Sequence, residues 1–474
     1  MADVIIDTTR LGTDLAGRRW FGGRDRTITG VSVIDSTVIE DGPPALVVAL
    51  LSLRLGGGDV WLYHTVLLID SDGSARDAID EPDRLRVLGE LMAHGHTLKG
   101  DSGNFHFGGP GLDPLAPPGK SSVRVMDAEQ SNSSVVLDED VIVKIFRRVE
   151  SGTNPDLELN RLLTNEGFEH VPPQVGEILY EGEIDGVETS IDLGIAQRFV
   201  SNAREGWAEV LHHLNLLYDE VHAEDVPEDM RALTEQRAEP ILRCLDELGE
   251  ATASLHLALA REEIGPDFVP EPIDESALHE WAESARERLE RLIAAEDLGG
   301  AAAAIEERIN SVAQLSGDLG HKIRIHGDYH LGQALYGKRN WMIIDFEGEP
   351  TRSLEVRRGK QCALKDVAGM LRSFGYAAMV SVFERAEKGT ADWDRLELWA
   401  TAWEDLARER FLASYLRRSH EGRFLPADRE ILGIMLDFFE IDKAIYELDY
   451  ERGHRPHWAW IPRRGIEQLL ARGS

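Results

Sequence analysis

The stretch Arg324-Ile-His-Gly-Asp-Tyr-His-Leu-Gly-Gln333, followed by Trp341-Met-Ile-Ile-Asp-Phe-Glu-Gly-Glu-Pro350, constrains this chain more than any other. It puts a carboxylate, an amide and a second carboxylate on two adjoining segments. Met342-Ile343-Ile344 reads as a buried strand that delivers Asp345 into an acidic turn. That order suits phosphoryl transfer. Asp328 can orient a hydroxyl and accept its proton, while Gln333, five residues on, and Asp345 can hold Mg²⁺ through oxygen. A His-Gly-Asp triplet by itself is an ordinary turn with a capping carboxylate; the composite carries the inference.

The spacing echoes the catalytic loop of kinases, in which a base Asp precedes a metal-binding Asn by five residues and an Asp-Phe turn follows. The expected fold class is therefore α+β: a bilobal, protein-kinase-like fold with an N-terminal β-rich cap subdomain and a large helical C-terminal lobe. At 474 residues the chain is too long for one simple core. Residues 1–110 contain strand-like runs, Val31–Ile34, Ala45–Leu51 and Val60–Ile69, parted by Gly- and Asp-rich turns, and are expected to form the cap. A Gly/Pro-rich connector spans 108–119. Residues 120–202 then read as a small nucleotide-binding lobe. Residues 203–474 read as the helical lobe, with periodic runs over 206–222, 230–262, 275–295, 300–316, 362–388, 391–418 and 427–452 interrupted by the catalytic segment 323–350.

In the small lobe, Lys144 stands inside the strand Val141–Phe146, a place for an ammonium only if it has a partner. Nucleotide phosphates and Glu158 on the following helix would supply one. Asn154-Pro155-Asp156 reads as that helix's N-terminus, with Asp156 serving the positive helix end rather than the lysine. Ser131, Asn132, Ser133 and Ser134 form an expected turn in the place of a phosphate-covering loop. Gln197 and Phe199 are expected at the hinge that meets the base.

The formal charge of −34, from 51 basic and 85 acidic residues, repels nucleic acid and anionic membrane, and both are excluded as partners. Mg²⁺ and a few basic groups must then hold ATP. No stretch is long and apolar enough to span a bilayer, the N-terminus lacks a signal pattern, and a cytoplasmic location is expected.

Together, Glu129–Val135, Val143–Arg148, Asn154–Leu159, Arg324–Gln333, Ile344–Pro350 and Asp366–Phe374 resemble the actinobacterial maltokinases. Arg19-Trp-Phe-Gly-Gly23 looks like the start of their cap, and Lys443-Ala-Ile-Tyr-Glu447 like their last helix. The resemblance implies transfer of the ATP γ-phosphoryl group to maltose, giving maltose 1-phosphate. Asp328 would then be the base, Gln333 and Asp345 the Mg²⁺ ligands, and Lys144 the phosphate anchor. It also implies association with a trehalose-isomerising enzyme.

The resemblance departs from the pattern at Cys362–Gly369 and His454–Trp458, both on the acceptor side. A related group of the same architecture phosphorylates glucosamine, so glucosamine 6-phosphate is the alternative product. A catalytically inactive, kinase-fold scaffold is the alternative of another class, although base, metal ligands and lysine are all in place. For the sugar itself, His330, Glu349, Arg358, Asp366, Tyr446, Glu447, Tyr450 and Trp458 are the candidates, the aromatics as faces for sugar C–H groups.

Overall fold

The computed structural model describes residues 6–23, 26–109, 111–112, 122–126, 131–221, 227–295, 298–338, 340–350 and 352–472. The chain divides into two compact units, Met1–Gly167 with Val171–Ser201, and Phe168–His170 with Asn202–Ser474.

In the first unit, α1 (Thr8–Ala16) starts at Asp7, whose carboxylate accepts from the amides of Thr9 and Arg10. The apolar runs then form the meander β1 (Ile28–Glu40), β2 (Ala45–Leu55) and β3 (Val60–Ile69), with β4 (Ala75–Asp77) paired to β3. After α2 (Arg86–His94) come β5 (Thr97–Lys99), β6 (Gly103–Gly108), β7 (Val123–Val125), β8 (Asn132–Leu137), β9 (Val141–Phe146) and β10 (Arg148–Val149). α3 (Pro155–Asn165), β11 (Gln174–Ile184) and β12 (Val187–Arg198) complete the unit.

The second sheet runs β5-β6-β11-β12-β9-β8-β7, while β10 leaves it and joins the first as β1-β2-β3-β10. One chain thus stitches two sheets, with Arg148 opposite Tyr63 and Val149 opposite Leu62. A single apolar core runs through both, from Leu46 and Val48 to Phe105, Val143 and Ile178. The stretches expected as separate cap and small lobe therefore share one compact unit; much of the connector expected between them, including 113–121, lies outside the described residues.

Arg147 sits where β9 passes into β10, and its side chain is fully buried. Nη2 lies 2.8 Å from Asp77 Oδ2. Nε donates to Ser133 Oγ (2.9 Å), Nη1 to Thr65 Oγ1 (3.1 Å), and the guanidinium lies 4.5 Å from the Trp20 ring centroid. Trp20 Nε1 also donates to Asp77. Trp20 of the early Arg19-Trp-Phe motif is thereby tied to a buried cation.

His64 is buried beside this network, its Nδ1 3.1 Å from the Phe146 carbonyl. Burial, then the charge of Arg147, pushes the imidazole down to about 3. An unfolded histidine titrates near 6.5, so between these values only the unfolded chain takes the proton. Stability from this group is complete above about pH 6.5 and is lost, by about 1.4 kcal/mol per pH unit, as pH falls toward 3. Urea midpoints of wild type and His64→Asn at pH 7, 6 and 5 should diverge in slope by this one proton; parallel lines would show that His64 does not titrate on unfolding.

The second unit opens with β13 (Arg204–Glu205), α4 (Gly206–Val221) and α5 (Met230–Leu259). β14 (Glu271–Pro272), α6 (Glu275–Ala295), α7 (Ala301–Ala313) and β15 (His321–Lys322) follow. The hairpin of β16 (Ala334–Tyr336) and β17 (Trp341–Ile343) precedes α8 (Leu354–Arg358), α9 (Leu364–Phe383), α10 (Ala391–Ser419), α11 (Arg429–His454) and α12 (Trp460–Arg472). α5 and α10 pack along their length. At Gly249 a Cβ would come within 2.4 Å of the Phe411 carbonyl, so only glycine admits that approach. No helix among the described residues is long and apolar enough to cross a membrane.

Candidate active site

The segment that carries Gln333 and Asp345 is local chain geometry made rigid. In the β16–β17 hairpin Ala334 pairs with Ile343, which sets Gln333 beside Ile344, and the Ile344 amide donates to the Gln333 carbonyl. The next residue is then in reach: Gln333 Nε2 donates to Asp345 Oδ2 at 3.0 Å, leaving Oε1 as the amide's acceptor. Asp345 has φ of +67°, a left-handed conformation uncommon outside glycine and characteristic of functional turns. Asp345 and Glu347 each present a carboxylate oxygen within 4.8 Å of the other. Sequence reasoning did not single out Glu347. The three side chains offer oxygen only, the donor set that suits Mg²⁺.

The loop that carries Asp328 is held from three helices. Asp366, buried on α9, accepts from the Gly327 amide (2.9 Å) through Oδ1 and from the His326 amide (2.8 Å) through Oδ2. His256 of α5 adds Nε2 at 3.1 Å from Asp366 Oδ2, and its Nδ1 lies 2.9 Å from the hydroxyl of Tyr415 on α10. Burial would raise the Asp366 pKa, but His256 and the loop amides outweigh it and keep the carboxylate ionised. His326 Nε2 lies 2.9 Å from the Ile344 carbonyl, and its Nδ1 accepts from the Asp328 amide at 3.4 Å. Gly327 has φ of +87°, so the turn that aims Asp328 requires glycine.

Lys443 reaches in from α11, its Nζ 3.3 Å from Asp328 Oδ1. Burial pulls the Asp328 pKa upward, yet Lys443, His330 and His326 together hold it below the usual carboxylate range. Asp328 is thus charged at neutral pH.

Beside it lies a cavity of about 290 Å³, lined among others by Asp328, Glu349, Lys365, Lys443 and Tyr446, and by Glu280 and Trp281 of α6. Glu349 pairs with Arg352 at 3.2 Å, and Asp442 with Arg288 at 2.9 Å. Glu280, Trp281 and Lys443 were not among the residues expected to touch the sugar. Nothing local marks the first two, since the site claims them through packing of α6 against α11.

Several expected acceptor residues do other work. Asp366 borders the cavity, but its carboxylate is taken up by the loop amides and His256. His330 Nδ1 accepts from the Gly332 amide and caps the turn Leu331–Gln333. Arg358 lies 3.7 Å from Asp267. Glu447 binds Arg372 through contacts of 3.0 and 2.8 Å. Tyr450 stacks on His454 at 4.2 Å, and Trp458 lies under Arg455 at 4.4 Å. None of these last five borders the cavity.

In the first unit Lys144 Nζ meets Asp156 Oδ2 at 3.0 Å, both side chains buried. The expected partner was Glu158. Asp156, expected to serve the helix end instead, meets the lysine because it lies on the buried face of α3 with Leu157 and Asn160; Glu158 lies half-buried. Asn154 caps the helix by accepting from the Asp156 amide, and Asn160 donates to Asp156 Oδ1. Residues 132–134 are strand, not turn. Ser134 pairs with Lys144, so alternation sends Ser133 to the opposite face, where Arg147 takes its hydroxyl. Asn132 Oδ1 accepts from the Arg147 amide, and Asn132 Nδ2 lies 3.4 Å from Ser131 Oγ. Gln197 Nε2 donates to Asn160 and to the Pro172 carbonyl, and the Phe199 amide to Asp140. Ser133, Gln197 and Phe199 thus give these groups to the fold.

Residues 122–348 match the model of the phosphotransferase enzyme family. This segment is similar to phosphotransferases. A glucosamine kinase of Mycolicibacterium smegmatis is 25% identical over 364 residues, covering 74% of this chain and 80% of that protein. A glucosamine kinase of Streptacidiphilus jiangxiensis is 27% identical over 355 residues, covering 72% of each. A solved glucosamine kinase in complex with glucosamine, ADP and inorganic phosphate superposes with a TM-score of 0.66 at 21% identity, over 97% of this chain and 99% of that one. The chain therefore has a kinase-like fold of mixed sheets and many helices. The resemblance drawn from the motifs holds at that level, with glucosamine kinases among the relatives.

Proposed function

We propose that this phosphotransferase is an ATP-dependent sugar kinase whose acceptor is an amino sugar of the glucosamine class. The observation that carries this reading is Asp328, charged and aimed by Asp366 and His326, on the wall of a cavity bearing carboxylates. Asp328 would accept the proton of the acceptor hydroxyl as its oxygen bonds to the γ-phosphorus. The bond from phosphorus to the β–γ bridging oxygen breaks, and ADP leaves. Lys144, fixed by Asp156, would bind nucleotide phosphate oxygens. Gln333, Asp345 and Glu347 would hold Mg²⁺, which supplies charge neutralisation at the phosphates. Among the cavity carboxylates Glu349 and Asp442 have arginine partners, whereas Glu280 has no ion pair among the described residues. An ammonium group on the acceptor would meet it.

The motif resemblance favours maltose as a second reading, and association with a trehalose-isomerising enzyme belongs to that reading alone. The test is ATP consumption with glucosamine, maltose, glucose and trehalose in parallel, with NMR of the product. We expect glucosamine to be consumed and phosphorylated on O6. Turnover of maltose to the 1-phosphate without turnover of glucosamine would replace the first reading by the second.

A further inference from the structure

The acceptor cavity does not end at one ring. A second cavity, of about 250 Å³, adjoins it, and Ser284, Arg288, Arg352 and Tyr446 line both. The second contains no residue of the catalytic loop; Glu287, Arg291, Ile445 and Asp449 complete its walls. At the junction the two shared arginines are fixed, Arg288 by Asp442 and by Ser284 Oγ (3.0 Å), Arg352 by Glu349. Farther out, the side chains of Glu287, Arg291 and Asp449 make no hydrogen bond or ion pair among the described residues.

Donors and acceptors without protein partners, set around an aromatic face and an isoleucine, suit a ring that is hydroxylated at its edge and apolar on its face. Tyr446 supplies that face, and it begins a ladder up α11 in which its ring stacks on Tyr450 (24° between planes) and Tyr450 on His454 (16°).

We propose that the two cavities are successive subsites, and that the phosphotransferase accepts a two-ring glycoside. Its amino-sugar ring lies at Asp328 and its second, hydroxylated ring lies against Tyr446 and within reach of Arg291 and Asp449. The glycosidic bond is untouched; only the acceptor O–H and the terminal phosphoanhydride exchange partners. This rests on the sugar-kinase reading above.

The test uses the full chain with ATP and Mg²⁺. Glucosamine is compared with glucosamine disaccharides joined by α- and β-1,4 and 1,6 linkages. At least one disaccharide should exceed glucosamine in kcat/KM by about tenfold, chiefly through KM. Glu287→Trp, which fills the second cavity from outside the first, and the exposed Arg291→Ala should each bring the disaccharide-to-glucosamine ratio toward one. Glucosamine turnover with no better disaccharide overturns this proposal alone. A better disaccharide whose advantage survives Glu287→Trp also overturns it, since the second ring would then lie elsewhere. Phosphorylation of no sugar at all overturns the sugar-kinase reading and this proposal with it.

Discussion

Asp328→Asn is expected to lower kcat by about three orders of magnitude, about 4 kcal/mol of barrier, with ATP affinity within about twofold of wild type. The amide keeps the shape of the carboxylate, and the backbone N–H of residue 328 that donates to His326 is unchanged. It cannot take up the acceptor proton, and it no longer answers the charge of Lys443 at 3.3 Å. Nucleotide affinity would depend on Lys144 and the metal ligands, which the substitution leaves in place. A coupled turnover assay and calorimetric ATP titration separate the two quantities. A variant that retains more than about a tenth of wild-type kcat would remove Asp328 from the role of base. The same group sets the pH dependence. Because Lys443, His330 and His326 outweigh burial and hold Asp328 below the usual carboxylate range, the acid limb of kcat/KM should lie below that range too.

Asp77→Ala should destabilise the first unit by about 3–5 kcal/mol. Asp77 and Arg147 have side chains 1% exposed, so removal of the carboxylate strands a cation where water cannot reach it. Burial already lowers the Arg147 pKa, against which Asp77 acts as the principal charge partner. The indole N–H of Trp20 loses its acceptor in the same step. The double variant Asp77→Leu with Arg147→Met should recover at least half of the loss, since an apolar pair of similar volume needs no compensation. Urea denaturation followed by the tryptophan signal reports both. A single variant within about 1 kcal/mol of wild type, or a double variant no better than the single, would show that the pair is not what joins the sheets.

These two sites differ in how readily the sequence discloses them. The closeness of Gln333 and Asp345 was legible because their relation is short-range: one hairpin register fixes it before any packing occurs. The helices were legible for the same reason, and the expected range 275–295 coincides with α6. The contact of Lys144 with Asp156 was missed because one turn of helix offers Asp156 and Glu158, and packing turns the Asp156 face toward β9. Ser133 was misassigned because a Ser/Asn run reads as a turn, whereas pairing with β9 made it strand and alternation turned its hydroxyl to Arg147.

On the acceptor side the distances in sequence are longer still. Asp366 meets a loop 39 and 40 residues earlier, and Lys443 meets Asp328 across 115. Glu447, four residues from Lys443 on the same helix, is drawn instead to Arg372. The sequence by itself disclosed the pattern that suits phosphoryl transfer, because its carboxylate, amide and second carboxylate, Asp328, Gln333 and Asp345, lie within one short segment. Only the tertiary structure decided which side chains line the cavity beside Asp328. That choice rests on how α6, α9 and α11 pack, and on which charges find one another when water is excluded, and no local pattern encodes either.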